Sequence, residues 1–237
     1  MKISVSRLAG PYYPLIVMAL LMLLMLSLSR VGLFIWQYER VAAAADILPL
    51  LLQGIRADLI LIGLWLVLPL LLAPVLATAG NIKRWRSFCH GWALLGLTVI
   101  IFIELSTPQF ILQYDIRPNR LYVEYLKYPR EVFSTLWHGF RAMLLAGIVL
   151  TAVLLVLSNR VLRAAKEHTL ACRNRTLWLS WPLVICLVFA MVRSTTDHRP
   201  ANPAFFAVTG DAMVNSLVIS SPYSVLYAIY SLRHEAN

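Results

Sequence analysis

Five long apolar runs, separated by short polar stretches, constrain this chain more than any other feature. They fall at about Leu15–Trp36, Leu59–Ala77, Gly91–Leu105, Ala142–Leu157 and Leu177–Val192. An apolar segment of roughly 17–25 residues crosses a bilayer as a helix, because in hydrocarbon the backbone must satisfy its own hydrogen bonds. The last three runs reach that length only with their flanking Trp, Tyr and Arg, residues favoured at the membrane boundary. Composition agrees: 60% of the residues are hydrophobic and 14% charged, where a soluble domain is about a quarter charged. The expected fold is all-α, a polytopic membrane protein with five transmembrane helices and short interfacial helices on its outer face. Residues 1–193 are expected to form the membrane domain, and residues 194–237 a linker with docking helices.

The stretch "VAAAAD" (Val41–Asp46) offers A-x-A cleavage sites. The run before it exceeds twenty residues, however, and a signal peptide's apolar region has only about 7–15. The first run therefore reads as a retained span. Cys89, Cys172 and Cys186 show no C-x-x-C spacing, so neither a disulfide framework nor a zinc site is expected.

Charge sets the expected orientation. The segments Met1–Tyr13, Gly80–His90 and Ser158–Thr176 hold ten Lys or Arg against the single acid Glu167. Short flanking loops rich in Lys and Arg stay inside, which puts the amino terminus in the cytoplasm and, after five spans, the carboxyl terminus outside. The net charge of +10 is then mostly a topology signal. It is divided among separate loops, so nucleic acid is not an expected partner.

The outer face carries most of the remaining information. In "TPQFILQYDIRPNRLYVEYLKYPREVFSTLWHGFRAM" (Thr107–Met143), Pro118 and Asn119 predict a turn and an N-cap, opening a short helix through Lys127. Pro129 suits the first position of a second helix. In that helix Val132, Phe133, Leu136, Trp137 and Phe140 make an apolar stripe at one-turn spacing. Helices at about 107–141 are therefore expected in the membrane interface, although a plain packing helix fits the same pattern. Further on, Ser221 and Pro222 predict a helix start. Tyr223, Leu226, Tyr227 and Tyr230 give that last helix one aromatic face, expected to dock on the membrane domain or lie in the interface.

Ionisable residues near the spans form a second constellation: Arg30 in the outer third of the first, Arg56 and Asp58 opening the second, Glu104 closing the third and Arg193 closing the fifth. Such groups pair, snorkel or serve a site, and arginine's fork suits a lipid phosphate. Enzyme signatures are lacking: the five histidines are scattered, and there is no H-E-x-x-H, G-x-S-x-G or glycine-rich phosphate loop. Asp197 and His198 are adjacent, but neighbouring side chains diverge on regular structure. Paired broken helices and repeat symmetry, the marks of a transporter, are not evident.

"GIRADL" (Gly54–Leu59), "RPNRLYVEYLKYPREV" (Arg117–Val132) and "RSTTDHRPANPAF…VNSLVISSPYSVLYAIY" (Arg193–Tyr230) resemble the membrane domain of lipoteichoic-acid-synthase-like proteins of Gram-negative bacteria. These are the phosphoglycerol transferase group of the sulfatase and alkaline phosphatase superfamily. The resemblance implies an inner-membrane protein with a cytoplasmic amino terminus and a periplasmic carboxyl terminus. It also implies a catalytic domain after the membrane domain, with a threonine nucleophile and a divalent Mn, Mg or Zn ion. That domain moves phosphoglycerol from phosphatidylglycerol to an acceptor; some relatives are lipid sensors or phosphoethanolamine transferases. The sequence stops at Asn237, where such a domain should begin. The chain is therefore expected to be one piece of a longer or split protein, and not catalytic alone. Its expected partners are phosphatidylglycerol and that missing domain.

The candidates for lipid-headgroup or interface contact are Arg56, Asp58, Glu104, Arg117, Asn119, Arg120, Glu124, Arg193, Asp197, His198, Arg199 and Asn202. Arg193, Asp197, His198, Arg199 and Asn202, with Arg56, Asp58 and Glu104, are expected to line an outer-leaflet opening through which a lipid reaches the catalytic domain. Two readings stay open: a membrane anchor and lipid-presenting domain of a phosphoglycerol transferase, or a non-catalytic lipid sensor or regulatory subunit.

Overall fold

The computed structural model describes residues 9–195 and 201–235. In chain order the helices are α1 (Tyr13–Trp36), α2 (Tyr38–Ala44), α3 (Ile47–Leu76), α4 (Ile82–Tyr114), α5 (Arg120–Tyr125), α6 (Pro129–Gly139), α7 (Arg141–His168), α8 (Asn174–Arg193), α9 (Ala212–Val218) and α10 (Ser221–Glu235). Single 3-10 turns precede α1 at Gly10–Tyr12 and follow α8 at Pro203–Phe206. No strand occurs among the described residues. Helices α1, α3, α4, α7 and α8 are long and apolar enough to cross a membrane. The protein is an all-α polytopic membrane protein.

Three spans are longer than their hydropathy runs suggest, α7 by continuing to His168 rather than stopping near Leu157. Helix α3 starts at Ile47 rather than near Leu59, and α4 continues to Tyr114 rather than stopping near Leu105. Gln53, Arg56 and Asp58 interrupt the hydropathy of α3, as Glu104 and the Thr107–Pro108 pair interrupt that of α4. None of them interrupts the helix. Arg56 and Asp58 therefore lie about three turns inside α3, and residues 107–114 belong to a span instead of a separate interfacial helix. The separate helices on this face are α5 and α6, and α5 ends at Tyr125.

Helices α1, α3 and α4 pack against one another, with α7 against α4 and α1, and α8 against α3. Helix α3 is the hub, and its prolines explain two of the joints. Pro69 and Pro74 have no N–H, so the carbonyls four residues earlier, at Trp65 and Leu70, lose their helical donors. Tryptophans from the neighbouring spans supply them. Trp92 Nε1 on α4 donates to Trp65 O at 3.0 Å, and Trp181 Nε1 on α8 donates to Leu70 O at 2.8 Å. Trp65 and Trp92 also stack, ring centroids 4.6 Å apart. Close approach depends on small residues: a Cβ on Gly96 would lie 2.6 Å from Trp65 Nε1, and one on Gly63 2.8 Å from Val192 Cγ2.

The outer spans are mostly uncovered by protein. In α7 only Ser158, Leu162 and Ala165 are buried, while Leu145, Ile148, Val149, Val153 and Val156 are exposed. A helix this apolar with so little of it packed has hydrocarbon on its free side. Helix α6 has no buried residue; its Phe133 and Trp137 stack at 6.0 Å, with Arg141 4.7 Å over the Trp137 ring.

Trp181→Phe should leave the Leu70 carbonyl without a donor inside the bundle, a loss of about 1–3 kcal/mol seen as a lower Tm in detergent. In a Pro74→Ala background, which restores the N–H, the same substitution should cost measurably less. Equal losses in both backgrounds would contradict the pairing of proline with tryptophan.

Candidate functional site

Helices α9 and α10 form a hairpin bent by 102°, and its tip is built into the bundle. Val218, Ile219, Ser220 and Ser221 are all buried. The tip reaches Arg30, which lies six residues, or about 9 Å, before the end of α1. Irregular backbone beside an apolar span has no water to bond, so its polar groups need protein partners. Arg30 Nε donates to Val218 O at 2.9 Å, and Arg117 Nη1 donates to Ile219 O at 2.7 Å. The Ser221 N–H, opening α10, donates to Glu104 Oε1 at 2.9 Å. That places a carboxylate at a helix amino terminus, where free N–H groups and the dipole favour negative charge.

Each cation that serves the tip is balanced by an acid. Arg30 Nη2 contacts both oxygens of Asp58 at 2.7 Å, and Arg117 Nη1 lies 3.4 Å from Glu104 Oε1. The Ser29 hydroxyl donates a short hydrogen bond to Glu104 Oε2. Exposure is 1% for Arg30, 0% for Asp58, 6% for Glu104 and 1% for Arg117, so four charges summing to zero are sealed together. Burial draws the Arg117 guanidinium below its ordinary value, while the Glu104 charge pulls it back up. Thr107 Oγ1 donates to Ile103 O at 2.9 Å, so at the 2.7 Å Thr107–Ser221 contact the Ser221 hydroxyl is the donor. Gly54 makes room for all of this, because a Cβ there would lie 2.7 Å from Val218 O and run into Arg30. Three guanidinium nitrogens, Arg30 Nη1 and Arg117 Nε and Nη2, have no partner among the described residues.

A second contact pins the hairpin from outside. Asp211 caps α9 by accepting from the N–H groups of Met213 and Val214 at 2.8 and 3.1 Å. Arg40 reaches Asp211 at 2.7 Å and Asp115 at 2.6 Å. The Arg40 hydrogen bond, opposed by partial desolvation and helped by the two N–H donors, holds the Asp211 carboxyl below its ordinary value.

The sequence candidates thus separate into groups. Asp58, Glu104 and Arg117 come together in the network, joined by Arg30, and all four carboxylate oxygens have protein partners. Arg56 faces elsewhere: its Nε lies 2.9 Å from both Ser194 O and Ser194 Oγ, and its guanidinium sits 4.6 Å over the Phe205 ring. It thereby places a cation at the carboxyl end of α8, where Ser194 takes a left-handed conformation at φ 50°. Arg193 lies at the same helix end, its Nε 3.3 Å from Thr195 O. Asn119 caps α5 through Leu121 N at 3.0 Å, and Asn202 caps the Pro203–Phe206 turn through Phe205 N at 3.2 Å. Arg120 pairs on the surface with Glu124 at 3.4 Å and Glu235 at 2.6 Å. Asp197, His198 and Arg199 lie outside the described residues.

Arg40, Ser29, Gly54 and the 218–221 backbone were not among the candidates. The available signal was Arg30 and Asp58, opposite charges at similar depth in adjacent spans; serine and glycine carry none. Among the described residues no three His, Cys, Asp or Glu side chains converge on a metal position, so none is assigned to the divalent ion that the resemblance implies.

Asp58→Asn should strand the Arg30 charge in a dry site and cost about 3–5 kcal/mol. The double variant Arg30→Met/Asp58→Leu should recover part of that loss, the remainder being the Val218 carbonyl left without its donor. Thermal unfolding of the three proteins in one detergent checks it; a double variant as unstable as Asp58→Asn would contradict the pairing.

No protein-family model matches this chain, and no solved structure does.

Proposed function

We propose that this chain is the membrane anchor and lipid-presenting domain of a phosphoglycerol transferase, or of a related enzyme that transfers a phospholipid headgroup. One observation carries the reading. The three segments that resemble such membrane domains lie far apart in sequence, yet each supplies part of one buried network. "GIRADL" supplies Gly54 and Asp58, the second segment supplies Arg117, and the third supplies the Val218–Ser221 tip. Residues that a fold brings to one place are the ones a family sharing that fold has reason to share.

The arrangement suits an anchor. A hairpin fixed by buried ion pairs gives anything attached to α10 a set position over the bilayer, which positioning of a reactive group requires. Beside it, α10 and α5 form a groove lined by Lys127 and Arg233, by the Arg120–Glu235 ion pair and by the apolar Val123, Ile229 and Leu232. Lys127 and Arg233 over that apolar floor fit a lipid phosphate with its glycerol and first methylenes. In this reading the groove faces the periplasm, the bilayer is a bacterial inner membrane and the lipid is phosphatidylglycerol. The divalent-metal chemistry belongs to the attached catalytic domain.

The intact mass of the native gene product, detected in source membranes with an antibody to the Arg117–Arg130 loop, tests this reading. A product much heavier than 26.8 kDa, in membranes that release labelled phosphoglycerol from phosphatidylglycerol, is the expected result. A product of 26.8 kDa would contradict the anchor reading and leave a lipid sensor or regulatory subunit in its place.

A further inference from the structure

At the opposite end of the bundle from the ion network, the start of α4 and the end of α7 face each other across a cleft. On α4, Lys83, Arg86, Ser87 and His90 stand at i, i+3, i+4 and i+7, one face of the first two turns. On α7, Asn159, Arg163, Lys166 and Glu167 stand at i, i+4, i+7 and i+8, again one helix face. The two stripes meet: His90 Nε2 and Asn159 Oδ1 are 2.9 Å apart. Retaining a loop on one side of a membrane requires only that it be basic. It does not require the cations to line up on the facing sides of two packed helices.

These cations also outnumber the counter-charges beside them. Arg86 donates a short bond to the Thr169 carbonyl at the end of α7, and its Nε is buried without a partner. Lys83, Arg163 and Lys166 form no ion pair among the described residues, and Glu167 is the one carboxylate lining the cleft. Four cations held together around one acid repel each other unless an anion joins them. Beyond the His90–Asn159 contact both helices turn apolar, with Leu95 on α4 and Val153, Val156 and Leu157 on α7 exposed. An anion seated there therefore has hydrocarbon immediately below it.

We propose that this cleft binds the phosphodiester headgroup of an anionic membrane phospholipid, with Arg86, Arg163 and Lys166 on the phosphate and the acyl chains running along the exposed apolar faces of α4 and α7. Basic pockets between transmembrane helices are the usual places for such headgroups, and the arginine fork matches two phosphate oxygens at once. The site is separate from the hairpin groove and does not depend on the transferase reading.

The test is binding of fluorescent phosphatidylglycerol to the purified full chain in nonionic detergent, with phosphatidylcholine and inorganic phosphate as comparison probes. Phosphatidylglycerol should bind and phosphatidylcholine should not, and Arg163→Gln/Lys166→Gln should weaken binding roughly 25-fold, about fivefold per charge near a membrane surface. Arg130→Gln/Arg141→Gln, with the same charge removed from the other end and outside both the cleft and the hairpin groove, should leave it unchanged. Should the first pair unfold, the exposed Lys83→Gln replaces it, with an expected loss of about fivefold. Equal losses in the two double variants, no loss in either, or equal binding of phosphatidylcholine would overturn the proposal. Complete competition by an equal concentration of inorganic phosphate would overturn the lipid assignment in favour of a free phosphate.

Discussion

The break between α9 and α10 is the constraint on which the rest of this structure depends. A helix that stops and turns beside the apolar spans leaves main-chain groups unbonded where there is no water, each at a cost of several kcal/mol. Here the missing partners are charged side chains. Arg30 and Arg117 donate to the carbonyls of Val218 and Ile219, and Glu104 accepts from the Ser221 N–H. Guanidinium groups cannot sit in such a place alone, so Asp58 and Glu104 follow from them. Gly54 follows in turn, since the Arg30–Val218 contact occupies the space of its missing side chain. A buried ion network of this kind is weak evidence of added stability over an apolar core; its effect is to specify where the hairpin sits.

The same rule, that membrane-depth carbonyls must be satisfied, operates at the other joints of the bundle. Pro69 and Pro74 each remove a donor from α3, and the indoles of Trp92 and Trp181 replace them from α4 and α8. Helix α3 therefore touches two neighbours at points its own prolines define. Helix α7 has no such tie and packs on α4 mainly through its last turns, which brings the two basic stripes face to face. Rigid attachment at the network end and a charged cleft at the other follow from where the donors and acceptors are used up.

The spans were legible in the sequence because apolar length is a strong signal that little else imitates. Their ends were not. Arg56 and Asp58 lower the hydropathy of α3 without ending it, since each is satisfied by a partner distant in sequence, Arg56 by Ser194 and Asp58 by Arg30. The α5 cap at Asn119 and the helix start near Ser221 were also readable, because caps and prolines act locally; the main chain enters α10 at Ser220, one residue earlier. Arg30 and Asp58 could be flagged as costly, but not matched. Pairing depends on the rotation of α1 against α3, and no single span encodes that. The hairpin tip was the least visible part: Val218 and Ile219 contribute through their carbonyls, which every residue has. Three of the twelve candidate residues, Asp197, His198 and Arg199, fall outside the described structure, and the others divide between the network and separate helix caps and surface pairs.

Hydrogen exchange across residues 212–225, in the native protein and in Arg117→Met, tests the central claim most directly. The substitution removes the donor to Ile219 O and leaves Glu104 buried with one fewer partner. The account predicts slow exchange in the native hairpin, and exchange accelerated roughly tenfold or more in the variant, with α1 and α3 still protected. A hairpin that exchanges at the native rate without Arg117 would mean that the buried charges do not hold the C-terminal segment in the bundle.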